Sequence, residues 1–170
     1  MTASASRSRP TLSRRRFLAF SVALAPVAVG VGSTLRSAPA LAATDPIYTS
    51  LFSDKALGGH DTVAYFTEGR AVKGSSDHRT EWRGATWQFA SAGNLDAFVA
   101  EPERFAPAYG GYCAYAMAQG QTVKSDPREW SIIGDRLFVN YDAAVKALWL
   151  EDPETFIRQA DGHWPGVRDA

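Results

Sequence analysis

Two parts of the chain have the pattern of β-hairpins. Segments 80–82 and 86–89 flank Arg83-Gly84-Ala85, and Trp87 and Phe89 alternate with polar residues as on a half-buried strand. Segments 130–133 and 136–140 are joined by Gly134-Asp135, a two-residue turn that favours a second hairpin. The run Thr62–Phe66 predicts a further short strand, and the polar Ser75–His78 predicts a loop.

Helical signals follow each hairpin. The first predicted helix begins at Ser91, and short helices are expected after Pro102 and over residues 112–119. Asp142 predicts a helix through Leu150, and Asp152-Pro153 predicts one that ends near Gln159. No internal repeat is evident after residue 43. The expected fold class is therefore α+β, with a small antiparallel sheet of two hairpins and packed short helices.

The first 42 residues differ from the rest in charge. They hold six arginines and no acidic residue, so 12 basic and 18 acidic residues remain after them and the net charge of that part is −6. Phe17–Val31 is apolar but interrupted by Pro26 and Gly30, and Ala40-Leu41-Ala42 resembles a cleavage site. We expect a signal peptide over 1–42, cleaved near Ala42, and no stable membrane insertion afterwards.

Composition excludes several classes of protein. A single cysteine forms no intramolecular disulfide and no cysteine-rich zinc cluster. The acidic body argues against non-specific nucleic-acid binding, so no nucleic-acid partner is expected.

The segment Ser13-Arg14-Arg15-Arg16-Phe17-Leu18 resembles the twin-arginine export signal. Ala19 stands where a lysine is common. The resemblance implies a bacterial protein that the twin-arginine export machinery carries, already folded, into the periplasm. The alternative is an ordinary secretory signal with a basic start.

A set of ordered motifs resembles the YHS-domain family. It includes Gly59–Phe66, Glu81–Ser91 and Ala108–Ala114, and it covers about residues 58–118, while the segment 130–165 resembles the C-terminal extension of exported YHS-like proteins. The expected organisation is a lead-in over 43–57, a YHS-like domain over 58–118, and a hairpin and helices over 119–170 that complete the same globular unit. The resemblance implies a metal-associated or accessory domain.

The chain departs from metal-binding YHS modules at their three cysteine positions. The matching residues are Ala64, Ala90 and Asn94, none of which supplies a thiolate. A soft-metal site of the usual kind is therefore lost, and the scaffold is what remains.

Two residues remain as candidate metal ligands, Cys113 and His60. Cys113 follows Gly110-Gly111 at a predicted helix start, where the helix dipole favours a thiolate. One thiolate and one imidazole are a ligand set that copper(I) tolerates, so copper is favoured over other transition metals. The alternatives are a small buried cysteine in a tight helix and a surface histidine.

Three functions follow as hypotheses. The first is a periplasmic, non-catalytic module that binds a metal ion or small ligand. The second is an accessory domain that binds a periplasmic protein without metal, and the third is a thiol-based redox enzyme that uses Cys113. The third would need an external thiol because the chain has no second cysteine, so we expect no catalytic residues.

Overall fold

The computed structural model describes residues 46–169. The predicted signal peptide, its cleavage site near Ala42 and the start of the lead-in lie outside the described residues. Six helices and two antiparallel hairpins make up the described part, which confirms the predicted α+β class.

The described elements run in two successive groups. The first group contains a turn at Ala56–Gly59, helix α1 (Thr62–Thr67), strands β1 (Ser75–Trp82) and β2 (Ala85–Phe89), and helices α2 (Ala92–Ala100) and α3 (Pro102–Phe105). The second group contains a turn at Ala108–Gly111, helix α4 (Ala114–Ala118), strands β3 (Asp126–Ile133) and β4 (Arg136–Asn140), and helices α5 (Ala143–Trp149) and α6 (Pro153–Arg168).

The two groups have the same order of elements and form a structural repeat that the sequence did not reveal. Pro102 and Pro153 begin the last helix of each repeat, and 153 minus 102 gives a spacing of 51 residues. Each hairpin has one register irregularity, between Ser75 and Arg79 in the first and between Asp126 and Trp130 in the second, at the same spacing. The expectation of no internal repeat was therefore wrong. The order of the elements repeats, although few residues are identical at matching positions.

Both repeats begin with a glycine-containing turn of the same conformation. Leu57 and Gly58 have φ of 47° and 60°, and Tyr109 and Gly110 have φ of 56° and 60°. A Cβ on Gly110 would lie 1.9 Å from the carbonyl oxygen of Pro46. The lead-in therefore packs directly on the second turn, and this contact requires glycine.

Three clusters of buried apolar side chains support this arrangement. The first repeat has its own cluster around Trp87 and Phe98, whose rings stack at 4.9 Å. The second has a cluster around Phe138 and Trp149. A third cluster joins the repeats, because it combines residues from both: Leu57, Tyr65, Leu137 and Val139.

Three predicted elements differ from the structure. Thr62–Phe66, predicted as a strand, lies in helix α1, because Asp61 caps this segment. Ser75–His78, predicted as a loop, forms the first half of β1. The last helix continues past Gln159 to Arg168, because Phe156 and Trp164 pack on the second core cluster. Both hairpin turns lie where they were predicted, and β3 extends the predicted strand 130–133 back to Asp126.

Candidate binding site

His60 lies between the first turn and helix α1, with its ring half-buried. Its Nδ1 is 3.1 Å from the carbonyl oxygen of Leu57, and burial lowers the pKa of the imidazole. It lines a surface pocket of about 470 Å³ together with Asp126, Arg128 and Tyr141. The lowered pKa favours the neutral imidazole, which is the protonation state that a metal ligand needs.

Cys113 lies in a different environment, at the N-terminus of α4. It is 1% exposed, and its Sγ is 3.7 Å from Oδ1 of Asn140. The same Asn140 oxygen accepts a hydrogen bond from the backbone N–H of Tyr115. The residues that line the His60 pocket do not include Cys113. An attacking thiol needs access to its substrate, so this enclosure does not favour thiol-based redox chemistry.

Asp61, the residue after His60, accepts four hydrogen bonds. Asp61 is fully buried, and its Oδ1 accepts hydrogen bonds from the backbone N–H groups of Val63 (2.9 Å) and Ala64 (3.2 Å). Its Oδ2 accepts hydrogen bonds from the N–H of Ala90 (2.8 Å) and from Nδ2 of Asn94 (2.7 Å). This role of Asp61 was not predicted from the sequence, although an Asp immediately before a helical segment is a capping signal.

The same network contains Ala64, Ala90 and Asn94, the residues that the resemblance matches to the cysteines of metal-binding YHS modules. Ala64, Ala90 and Asn94 come together in space, and each donates a hydrogen bond to Asp61. A carboxylate and its donors therefore occupy the place of a thiolate set. Within residues 46–169 no group of three or more His, Cys, Asp or Glu side chains could hold a metal ion. The residues at this place do not fit a soft-metal centre.

The sequence profile of the YHS domain matches residues 63–109. The chain contains a YHS domain. The match begins in α1 and ends in the second turn, so it covers most of the first repeat, and the second repeat after this turn lies outside the matched region. No curated protein and no solved structure matches the chain.

The helices of the described part are not membrane spans. From residue 46 to residue 169, none combines the length and the apolar content that crossing a bilayer requires.

Proposed function

We propose that the protein is an exported, non-catalytic binding module built on a YHS domain. The convergence of Ala64, Ala90 and Asn94 on the Asp61 carboxylate supports this proposal most directly. The YHS scaffold is retained while its usual ligand positions serve to hold the fold together. The enclosed thiol of Cys113 also favours binding over catalysis.

The proposed location is the periplasm of a bacterium. Its support is the resemblance of Ser13–Leu18 to a twin-arginine signal and the basic, partly apolar composition of the first 42 residues. The proposed partners are the twin-arginine export machinery during transport and a periplasmic protein afterwards.

Metal binding by His60 and Cys113, with copper favoured, stays a prediction. It is tested by producing the full chain in copper- or zinc-supplemented cells and measuring bound metal per chain by elemental analysis. If the prediction holds, one equivalent of metal is lost in both His60→Gln and Cys113→Ala. His78→Gln, which changes a histidine in β1, is the matched control and retains the metal. If the unmodified chain contained no metal, metal binding would be excluded, whereas binding of a small ligand or of a protein would not be.

An accessory role without metal is the second candidate function. Leu51 and Phe52 are 89% and 95% exposed, although such apolar side chains are usually buried. Affinity capture from periplasm should then recover a defined protein with the unmodified chain and lose it with Leu51→Ser and Phe52→Ser together. Leu148→Ser, at a position 46% exposed on α5, is the control that retains the partner. Equal recovery by all three chains would contradict a role for this apolar pair.

A further inference from the structure

A cleft of about 360 Å³ lies where the two repeats meet. We call it the inter-repeat cleft. Six of the residues that line it are Trp82, Arg83, Arg104, Tyr109, Arg136 and Trp164. The first three belong to the first repeat and the last three to the second. Cavities of this size at a joint between structural units are where small ligands commonly bind.

The cleft is lined by both arginines and carboxylates. Arg83, Arg104 and Arg136 line it together with the carboxylates of Glu103 and Asp135, and Arg136 also pairs with Asp161, so the cleft has no excess of positive charge. The residues after position 42 carry a net charge of −6, with 12 basic and 18 acidic groups. An anion that binds here must therefore pair with one particular guanidinium.

Arg83 is held in a position from which it can exchange partners. Its guanidinium lies over the ring of Trp82, 4.5 Å from the centroid, and its Nη2 donates to Oε1 of Glu103 at 2.6 Å. The Arg83 and Glu103 side chains are 37% and 74% exposed. So exposed an ion pair contributes little to stability, and an incoming carboxylate can replace Glu103.

Arg136 is fixed more firmly on the other side of the cleft. Its Nη1 and Nη2 donate to the two oxygens of Asp161 at 3.0 and 2.8 Å, and the Tyr109 hydroxyl donates to the same carboxylate at 2.9 Å. Hydrogen bonding from Arg136 holds the pKa of Asp161 below its usual range, so the pair stays charged. A guanidinium has five N–H donors, and this pair uses two of them.

We propose that the inter-repeat cleft binds a small aromatic oxyanion. Its anionic group would pair with Arg83 in place of Glu103, and its ring would contact the indoles of Trp82 and Trp164. This inference rests on the proposed binding function and names a site and a ligand class for it. A carboxylate and a phosphate ester share the required chemistry.

The test is a titration of the full chain with benzoate and with phenyl phosphate, followed by tryptophan fluorescence and by NMR. Saturable binding is expected, and Arg83→Gln should weaken it about tenfold by removing a charge-assisted contact. Glu103→Gln should strengthen it about threefold because it removes the competing carboxylate. Such a gain in affinity would not arise if Arg83 had only a structural role.

The controls separate the charge, the ring and the fold. Arg70→Gln alters an arginine that pairs with Glu68 and does not line the cleft, so it should leave binding unchanged. Benzamide should bind more weakly than benzoate, and inorganic phosphate more weakly than phenyl phosphate. Circular dichroism checks that each variant is folded.

Three results would overturn the inference: no saturation by about 10 mM of either aromatic anion, an unchanged affinity in Arg83→Gln, or benzamide binding as tightly as benzoate. Inorganic phosphate binding as tightly as phenyl phosphate would also overturn it, since the ring would then contribute nothing. None of these results bears on metal binding by His60 and Cys113 or on the Leu51–Phe52 surface. Failure of the cleft to bind an anion would therefore not contradict the proposed function, which is tested by those two experiments.

Discussion

At the scale of single residues, the buried carboxylate of Asp61 links helix α1 to the end of β2 and to α2. Asp61→Ala removes the acceptor of four hydrogen bonds and leaves buried donors without a partner. We expect the free energy of unfolding to fall by about 3 kcal/mol, measured by urea denaturation. Asp96→Ala, at an exposed site on α2, should change it by no more than about 0.5 kcal/mol. Equal losses in the two variants would contradict the role of this carboxylate.

Gly110 provides a second prediction at this scale. Gly110→Ala combines a positive φ with a Cβ only 1.9 Å from the Pro46 carbonyl oxygen, so the lead-in must move. Gly69→Ala is the matched control, because its φ of +64° is similar and nothing lies within 4 Å. The control should cost about 1 kcal/mol in thermal unfolding, and Gly110→Ala a further ~1–3 kcal/mol. Identical melting temperatures would contradict the close packing of the lead-in.

At the scale of elements, the two repeats use the same capping device after each hairpin. The Ser91 hydroxyl accepts from the N–H of Asn94 at 3.1 Å, and the Asp142 carboxylate accepts from the N–H of Val145 at 2.8 Å. We expect Ser91→Ala and Asp142→Ala each to cost about 1 kcal/mol of unfolding free energy. Ser91→Asn and Asp142→Asn keep a capping oxygen and should restore most of it. If both asparagine variants were as unstable as the alanine variants, the capping hydrogen bonds would not be the cause of the loss.

At the scale of the whole molecule, the export signal can be tested separately from the fold. Replacing Arg14 and Arg15 with lysine keeps the charge but removes the arginine pair, so the precursor should stay in the cytoplasm. Replacing Arg7 and Arg9 with lysine is the matched control and should leave export intact. Cell fractionation and N-terminal sequencing measure the outcome, and the exported form is expected to begin near Ala43. Normal export of the Arg14/Arg15 variant would favour an ordinary secretory signal.

The hairpins and helix caps were predictable from the sequence because their signals are local. The Arg83-Gly84 and Gly134-Asp135 turns both have positive φ at their two central residues, which is the geometry of a two-residue hairpin turn. The capping residues Ser91 and Asp142 likewise act within three positions of themselves along the chain.

Other features depended on residues far apart in the chain. Thr62–Phe66 has strand-forming composition, but Asp61 caps it as a helix while its second oxygen is held by Ala90 and Asn94, about thirty positions away. Composition reports only intrinsic preference, and tertiary contacts override it.

The sequence by itself determined the positions of both hairpins, the α+β class and the likeness to a YHS domain. Only the tertiary structure decided that the elements form two repeats, that Cys113 is enclosed and that Ala64, Ala90 and Asn94 all donate hydrogen bonds to Asp61. It also brought Arg83 and Arg136 to one cleft. The physical reason is that turns and caps depend on neighbours within a few residues, whereas burial and clefts depend on which distant segments pack together.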